Sequence, residues 1–156
     1  MNRISLDTRY MLIAHTVALG STCLRRKVGA VLLREGRIIS TGYNGTPSGS
    51  PHCSSDTCGP GKSCTDTIHA EINAITRARE QGDTLYCTDQ PCLPCIKAIV
   101  SHNSNIRILY WRSYEDKVRD EWCQKMGVEI YEIGWDDMID KYSALIGLGE
   151  DKCVTV

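Results

Sequence analysis

The chain has 156 residues, of which 42% are hydrophobic and 24% charged, with a net charge of -1. That size suits one domain, and the balance excludes a disordered segment, a collagen-like repeat or a coiled coil. No apolar run approaches the roughly 18–20 residues of a membrane span, and eighteen basic against nineteen acidic residues argue against a binder that holds nucleic acid on a strongly basic surface. Neither a membrane nor a nucleic acid is therefore expected as a partner. No apolar h-region follows the charges near the N-terminus, so a cytoplasmic location is expected. Phe is absent, while Cys occurs nine times. Reduced thiols at that density point to metal ligands rather than a disulfide framework.

Residues 7–22 carry Tyr10, Leu12, Ile13, Val17 and Leu19 at loose helical spacing, and Gly20 can end the helix they predict. Residues 28–33 are an apolar run of strand length, Glu35-Gly36 signals a turn, and residues 37–41 predict a second strand, hence a hairpin. From Gly42 to Cys64 no periodicity survives, and the stretch is rich in Gly, Pro and Ser. Long irregular loops in compact domains are usually functional or disordered. Three Cys and a His in this one suggest that something ties it down. Asp66 or Thr67 can N-cap a helix running to about residue 81, with Ala70, Ala74, Ile75 and Ala78 on one face and Gly82 as its stop. A strand over 84–88, a helix over 92–102 with Pro94 in its first turn, a strand over 106–111, a helix over 115–126, a strand over 128–132 and a last helix over 136–145 complete the prediction. The alternation after the hairpin predicts an α/β fold with a parallel second half and right-handed crossovers. A single domain over 1–156 is expected, its loop 42–66 stapled by metal and its tail 147–156 without assignment.

Cys92 and Cys95 stand three apart at a predicted helix start. Both sulfurs can then face one ion, and the positive helix end favours thiolates. Two thiolates leave a zinc site incomplete, and His69 opens the preceding helix. Three ligands leave one tetrahedral position open, as catalytic zinc does for water. Glu71 follows His69 by two residues and can converge on the same point as a base for that water. The plainer readings are a redox CxxC pair or two buried cysteines. His-Ala-Glu, a helix, a strand and then Pro-Cys-Leu-Pro-Cys form a more specific combination than either.

Of the other cysteines, Cys53, Cys58 and Cys64 lie in the long loop and Cys23 just before the first strand. Four thiolates would close a structural zinc site and order a loop too polar to order itself. His52 in place of one cysteine, or a loop without metal, are the alternatives. Cys87 and Cys123 read as packing residues, and Cys153 carries no assignment.

H-x-E followed by P-C-x-x-C is the signature of zinc nucleobase deaminases. Over about residues 3–135 the sequence resembles that superfamily, and in detail the deoxycytidylate (dCMP) deaminase family. The likeness rests on Ser21-Thr22-Cys23, Val28-Gly29-Ala30-Val31, the Gly42-Tyr43-Asn44-Gly45 start of a Gly-Tyr-Asn-Gly-x-Pro-x-Gly block, Ile68-His69-Ala70-Glu71 with Asn73-Ala74, Tyr86, Pro91-Cys92 with Cys95, and Lys97-Ala98. The resemblance implies a three-layer α-β-α cytidine-deaminase-like fold on a five-stranded mixed sheet. It implies hydrolytic deamination of dCMP to dUMP and ammonia, with Glu71 moving protons and with His69, Cys92 and Cys95 on a catalytic Zn2+. It agrees with a second Zn2+ on Cys23, Cys53, Cys58 and Cys64.

For the substrate, the resemblance implies that Tyr114, rather than Tyr110 or Trp111, stacks on the cytosine and that Asn44 contacts the sugar. The Ala70 N–H is expected to hold the pyrimidine carbonyl. Arg25 and Arg3 match positions that contact the monophosphate, although Arg25-Arg26-Lys27 also reads as a solvated patch. Activation by dCTP with Mg2+ and inhibition by dTTP are implied at Gly42, Tyr43, Asn44 and Gly45, near the subunit contacts of a homo-hexamer. Competing readings are a bifunctional dCMP/dCTP deaminase, a deaminase of bases in nucleic acid, and a non-catalytic zinc module.

Overall fold

The computed structural model describes residues 4–56, 58 and 64–134. Arg3, Cys153, the helix predicted at 136–145 and the tail lie outside the described residues. The strands are β1 (Gly29–Arg34), β2 (Arg37–Tyr43), β3 (Thr84–Asp89), β4 (Arg107–Arg112) and β5 (Ile130–Glu132). The helices are α1 (Leu6–Ala18), α2 (Ala70–Arg77), α3 (Leu93–His102) and α4 (Lys117–Met126). They form one sheet in the order β2-β1-β3-β4-β5. β1 is antiparallel to both β2 and β3, whereas β3, β4 and β5 run parallel. Glu35 and Gly36 both have positive φ (51° and 73°), the conformation of a tight hairpin turn whose twist matches the strands it joins.

Period-two alternation divides the core between the two sheet faces. Val31, Leu33, Tyr86 and Leu109 meet Met11 and Ala14 of α1. Ala30, Leu32, Leu85, Cys87, Ile108 and Tyr110 meet Ala70 and Ala74 of α2 and Cys95 and Ile99 of α3. The expected three-layer α-β-α fold is thus present. Among the described residues no helix is long and apolar enough to cross a membrane.

The buried stripe of α1 differs from the predicted one. Thr8, Met11, Ala14 and Ala18 are buried, while Leu19 is 67% exposed. Ala14 and Ala18 face the sheet where the helix backbone lies against β1: a Cβ on Gly29 would stand 2.0 Å from the Ala14 carbonyl oxygen. On the opposite face, a Cβ on Gly42 would stand 2.2 Å from the Ala70 carbonyl oxygen and 2.5 Å from the Ala74 nitrogen. Both helices approach the sheet more closely than a side chain permits.

α2 is shorter than the predicted helix at both ends. Ile68 forms a β-bridge with Gly45, in which Gly45 N–H donates to the Ile68 carbonyl (3.1 Å) and Ile68 N–H to the Gly45 carbonyl (2.8 Å). That pairing holds Ile68 extended and makes His69 the N-cap. At the far end Ala78 is already extended, with ψ 137°. Gly82 is therefore a point of close approach rather than a helix stop, for a Cβ there would lie 2.4 Å from Leu32 Cδ1. Cys87 and Cys123 are buried, in keeping with packing roles.

Candidate active site

The site is assembled at two helix N-termini. His69 is the N-cap of α2 and Glu71 its second residue; Cys92 is the N-cap of α3 and Cys95 its third residue. The His69 side chain makes no cap bond to its own helix, so its ring remains available to the two sulfurs. His69 Nδ1 lies 3.3 Å from Cys95 Sγ and 3.5 Å from Cys92 Sγ. All three ligand atoms fall within 4.8 Å of one another. Zinc bonds of about 2.0–2.1 Å to nitrogen and about 2.3 Å to sulfur, at tetrahedral angles, separate such atoms by about 3.5 Å. The nitrogen and the two sulfurs fit a zinc ion.

The charges here depend on one another. Hydrogen bonding with Cys95 and His69 brings the Cys92 thiol down to about 4, against its burial. The same shared bond, with burial, pushes Cys95 up. His69 is raised, first by its bond with Cys92. Glu71 is 4% exposed, and burial pushes its carboxyl up to about 7.

His69, Glu71 and Cys92 open onto a cavity of about 430 Å³, within the roughly 300–1,000 Å³ of small-molecule sites. Arg25, Asn44, Ala70 and Tyr114 line it together with His69, Glu71 and Cys92. Of the three aromatic candidates only Tyr114 reaches the cavity. Tyr110 is in the core beneath α2 and α3, and Trp111 packs edge-on against His15. Ala70 is the first residue of α2, a position whose N–H has no acceptor within its own helix.

Asn44 is more heavily engaged than a sugar ligand requires. Its Oδ1 accepts from Val28 N–H (2.8 Å) and Ser21 Oγ–H (2.7 Å), and its Nδ2 donates to the Arg26 carbonyl (2.7 Å). The amide therefore pins the segment that carries the basic run. The sequence marks Arg26 only as part of a basic run, and it does not mark Asp89, Gln90 or Arg119. Buried Asp89 lies 3.6 Å from both Arg26 Nε and Arg112 Nε. Burial raises its carboxyl and the two arginines oppose that shift. No local pattern marks this grouping, because its members come from three separate segments.

The second cysteine cluster is also present. Cys53, Cys58 and Cys64 place their sulfurs within 4.8 Å of one another. Cys23 is outside that trio, and so is His52. Cys23 is nevertheless buried and close enough for its charge to raise both Cys53 and Cys58, which burial raises first. Hydrogen bonding from Thr67 brings Cys64 down to about 7. Three soft donors beside a fourth suit the closed coordination of structural zinc.

The Gly42–Gly45 block is built into this architecture. Gly42 seats α2, the Tyr43 carbonyl accepts from Asn73 Nδ2 (2.9 Å), and Gly45 bridges to Ile68, next to His69.

Residues 4–110 match the family model of the cytidine and deoxycytidylate deaminase zinc-binding region. ComE operon protein 2 of Bacillus subtilis (strain 168) is 35% identical over 164 residues, spanning 95% of this chain and 85% of that protein. Deoxycytidylate deaminase of Schizosaccharomyces pombe is 39% identical over 123 residues, 65% of this chain but 38% of the yeast protein. The fold superposes on the dCMP deaminase of cyanophage S-TIM5, solved with dCMP and dUMP, with a TM-score of 0.70 and 30% identity, covering 85% of this chain and 100% of that one. The matched region contains the cavity lining up to Cys92 and all three members of the nitrogen–sulfur triad, and on this likeness the chain belongs to the cytidine and deoxycytidylate deaminase zinc-binding family and is a deaminase.

Proposed function

We propose that this enzyme hydrolyses the C4 amino group of dCMP, giving dUMP and ammonia. The observation that carries the reading is Glu71, a buried carboxylate beside three zinc-type donors on the wall of a nucleotide-sized cavity. A metal that served only to hold the fold would leave such a carboxylate without a task. The likeness to a phage enzyme solved with dCMP and dUMP supports this substrate over other bases.

His69, Cys92 and Cys95 would hold a catalytic Zn2+, and that ion would supply a water acidic enough to lose a proton near neutral pH. Glu71 takes a proton from the attacking water, passes it to ring N3, and delivers the next one to the departing amine. One water is consumed and one ammonia released. The Ala70 N–H holds the pyrimidine carbonyl, and Tyr114 stacks on the ring. Asn44 offers its remaining amide hydrogen to the sugar. Arg25 meets the 5′-phosphate with Arg3, their guanidinium donors matching its oxygens.

A second Zn2+ is held by Cys53, Cys58 and Cys64 with Cys23 as the fourth ligand. Changing Cys58 to Ser should lower bound zinc from about two ions per chain to about one, as counted by elemental analysis. Retention of both would remove Cys58 from the ligand set. Regulation by dCTP with Mg2+ and by dTTP belongs to Gly42, Tyr43, Asn44 and Gly45, in a cytoplasmic homo-hexamer. Support comes from the bonds of Asn44 to the Arg26–Val28 segment and of Gly45 to Ile68, which connect this block to two walls of the cavity.

The deciding experiment is ammonia release from dCMP by zinc-replete protein, with and without dCTP and Mg2+. Turnover that rises with dCTP supports substrate and regulation together. Turnover indifferent to dCTP keeps the reaction and removes the regulation. No turnover overturns dCMP as the substrate.

A further inference from the structure

We propose that Arg119 is a positioning residue for the substrate, setting the ring of Tyr114 as a stacking wall of the cavity from the first turn of α4. The inference rests on the dCMP reading above, because Tyr114 is assigned there to the base.

α4 buries only Arg119 and Cys123, and Arg119 is 1% exposed. An arginine on the buried stripe of a surface helix is costly where an apolar residue of similar volume would serve, unless the guanidinium has something to hold. Here it holds Tyr114 in two ways. Its Cζ lies 4.8 Å from the centroid of the Tyr114 ring, and its Nη2 donates to the Tyr114 carbonyl at 2.9 Å. The guanidinium is itself oriented by Asp120, whose Oδ1 accepts from Nε at 2.9 Å. Asp116 caps the helix by accepting from the Arg119 N–H at 3.0 Å. Nη1 is buried with no hydrogen-bond partner among the described residues, a further cost that the contacts with Tyr114 and Asp120 have to offset.

From the sheet side, the Tyr114 N–H donates to Gln90 Oε1 at 3.3 Å, and the Gln90 N–H donates to the Arg112 carbonyl at 2.8 Å. Tyr114 is therefore held at its N–H, at its carbonyl and at one ring face. Tyr114 and Gln90 line the cavity while Arg119 does not. A cation over one face of an aromatic ring is attracted to its quadrupole, and this fixes the ring without occupying the cavity. Lysine, a point charge without a planar fork, cannot make the ring contact and the carbonyl bond together.

The test is a double-mutant cycle read in steady-state kinetics. Arg119→Met should raise KM for dCMP about 5–20-fold, a share of the stacking that a base gains from an aromatic ring. It should leave kcat within about 3-fold, with zinc content unchanged. In a Tyr114→Ala background the same change should move KM by less than about 2-fold, because the residue it positions is gone. Arg119→Lys should resemble Arg119→Met. An unchanged KM in Arg119→Met, or effects that multiply independently, would overturn the proposal. Should Arg119→Met fail to fold, Asp120→Asn loosens the guanidinium at a half-exposed side chain. It should raise KM about 2–5-fold only while Tyr114 is present, and an unchanged KM there is equally fatal. Wild-type turnover of dCMP tests the earlier reading by itself. If the enzyme acts on another base, the same cycle run on that base still reads Arg119.

Discussion

Glu71→Gln should lower kcat for dCMP about 10²–10⁴-fold, the range that positioned proton transfer contributes. Gln keeps the shape and volume of Glu and removes only the ability to accept and return a proton. The side chain is almost fully buried and burial already pushes its carboxyl up to about 7, so a neutral amide costs the fold little there. Zinc content and Tm should stay near wild type, because the triad consists of His69, Cys92 and Cys95. Ammonia release, elemental analysis and thermal unfolding on one preparation separate the possibilities. A loss below about tenfold would take the proton shuttle away from Glu71. A loss accompanied by zinc depletion would make it a support for the metal.

Gly42→Ala should destabilise the protein by about 1–3 kcal/mol or more, as overpacking does. At about 2–4 °C per kcal/mol for a chain of this size, Tm should fall by about 2–12 °C. The added methyl would meet the Ala70 carbonyl and the Ala74 nitrogen, which are helix backbone and cannot rotate away. α2 would have to lift, and its first residues carry His69 and Glu71, so kcat should fall with stability. Gly134→Ala is the control: no described atom lies within 4 Å of the new methyl. This pair of variants separates architecture from effector binding at Gly42. A Tm within about 1 °C of wild type combined with a lost dCTP response would assign the residue to regulation instead.

The strands and the zinc-type donors were legible for a shared reason. Strand alternation repeats every two residues, and the hairpin turn is encoded in two adjacent residues, Glu35 and Gly36. His69 with Glu71, and Cys92 with Cys95, are each contained in one helix start, so spacing alone places each pair. Helix faces were less legible. α1 buries Met11 but leaves Tyr10, Ile13 and Val17 only partly buried, because where it crosses Gly29 the sheet admits only Ala14 and Ala18. α2 lost its predicted first turn because Ile68 spends both backbone groups on Gly45, a partner that periodicity does not see.

By itself, then, the sequence determined the succession of elements from α1 to β5, the hairpin with its parallel continuation, and the donors His69, Cys92 and Cys95 beside Glu71. Those features are written in neighbouring residues, where backbone geometry converts spacing into direction. Only the tertiary structure decided that β1 lies between β2 and β3, that Asp89 sits between Arg26 and Arg112, that Asn44 holds the Arg26–Val28 segment, and that Arg119 stands behind Tyr114. Most of these join different segments of the chain. The pairing of Arg119 with Tyr114 is close in sequence but crosses a loop-to-helix turn, where no period applies. Each depends on sheet order and loop path, which follow from burying the whole core at once.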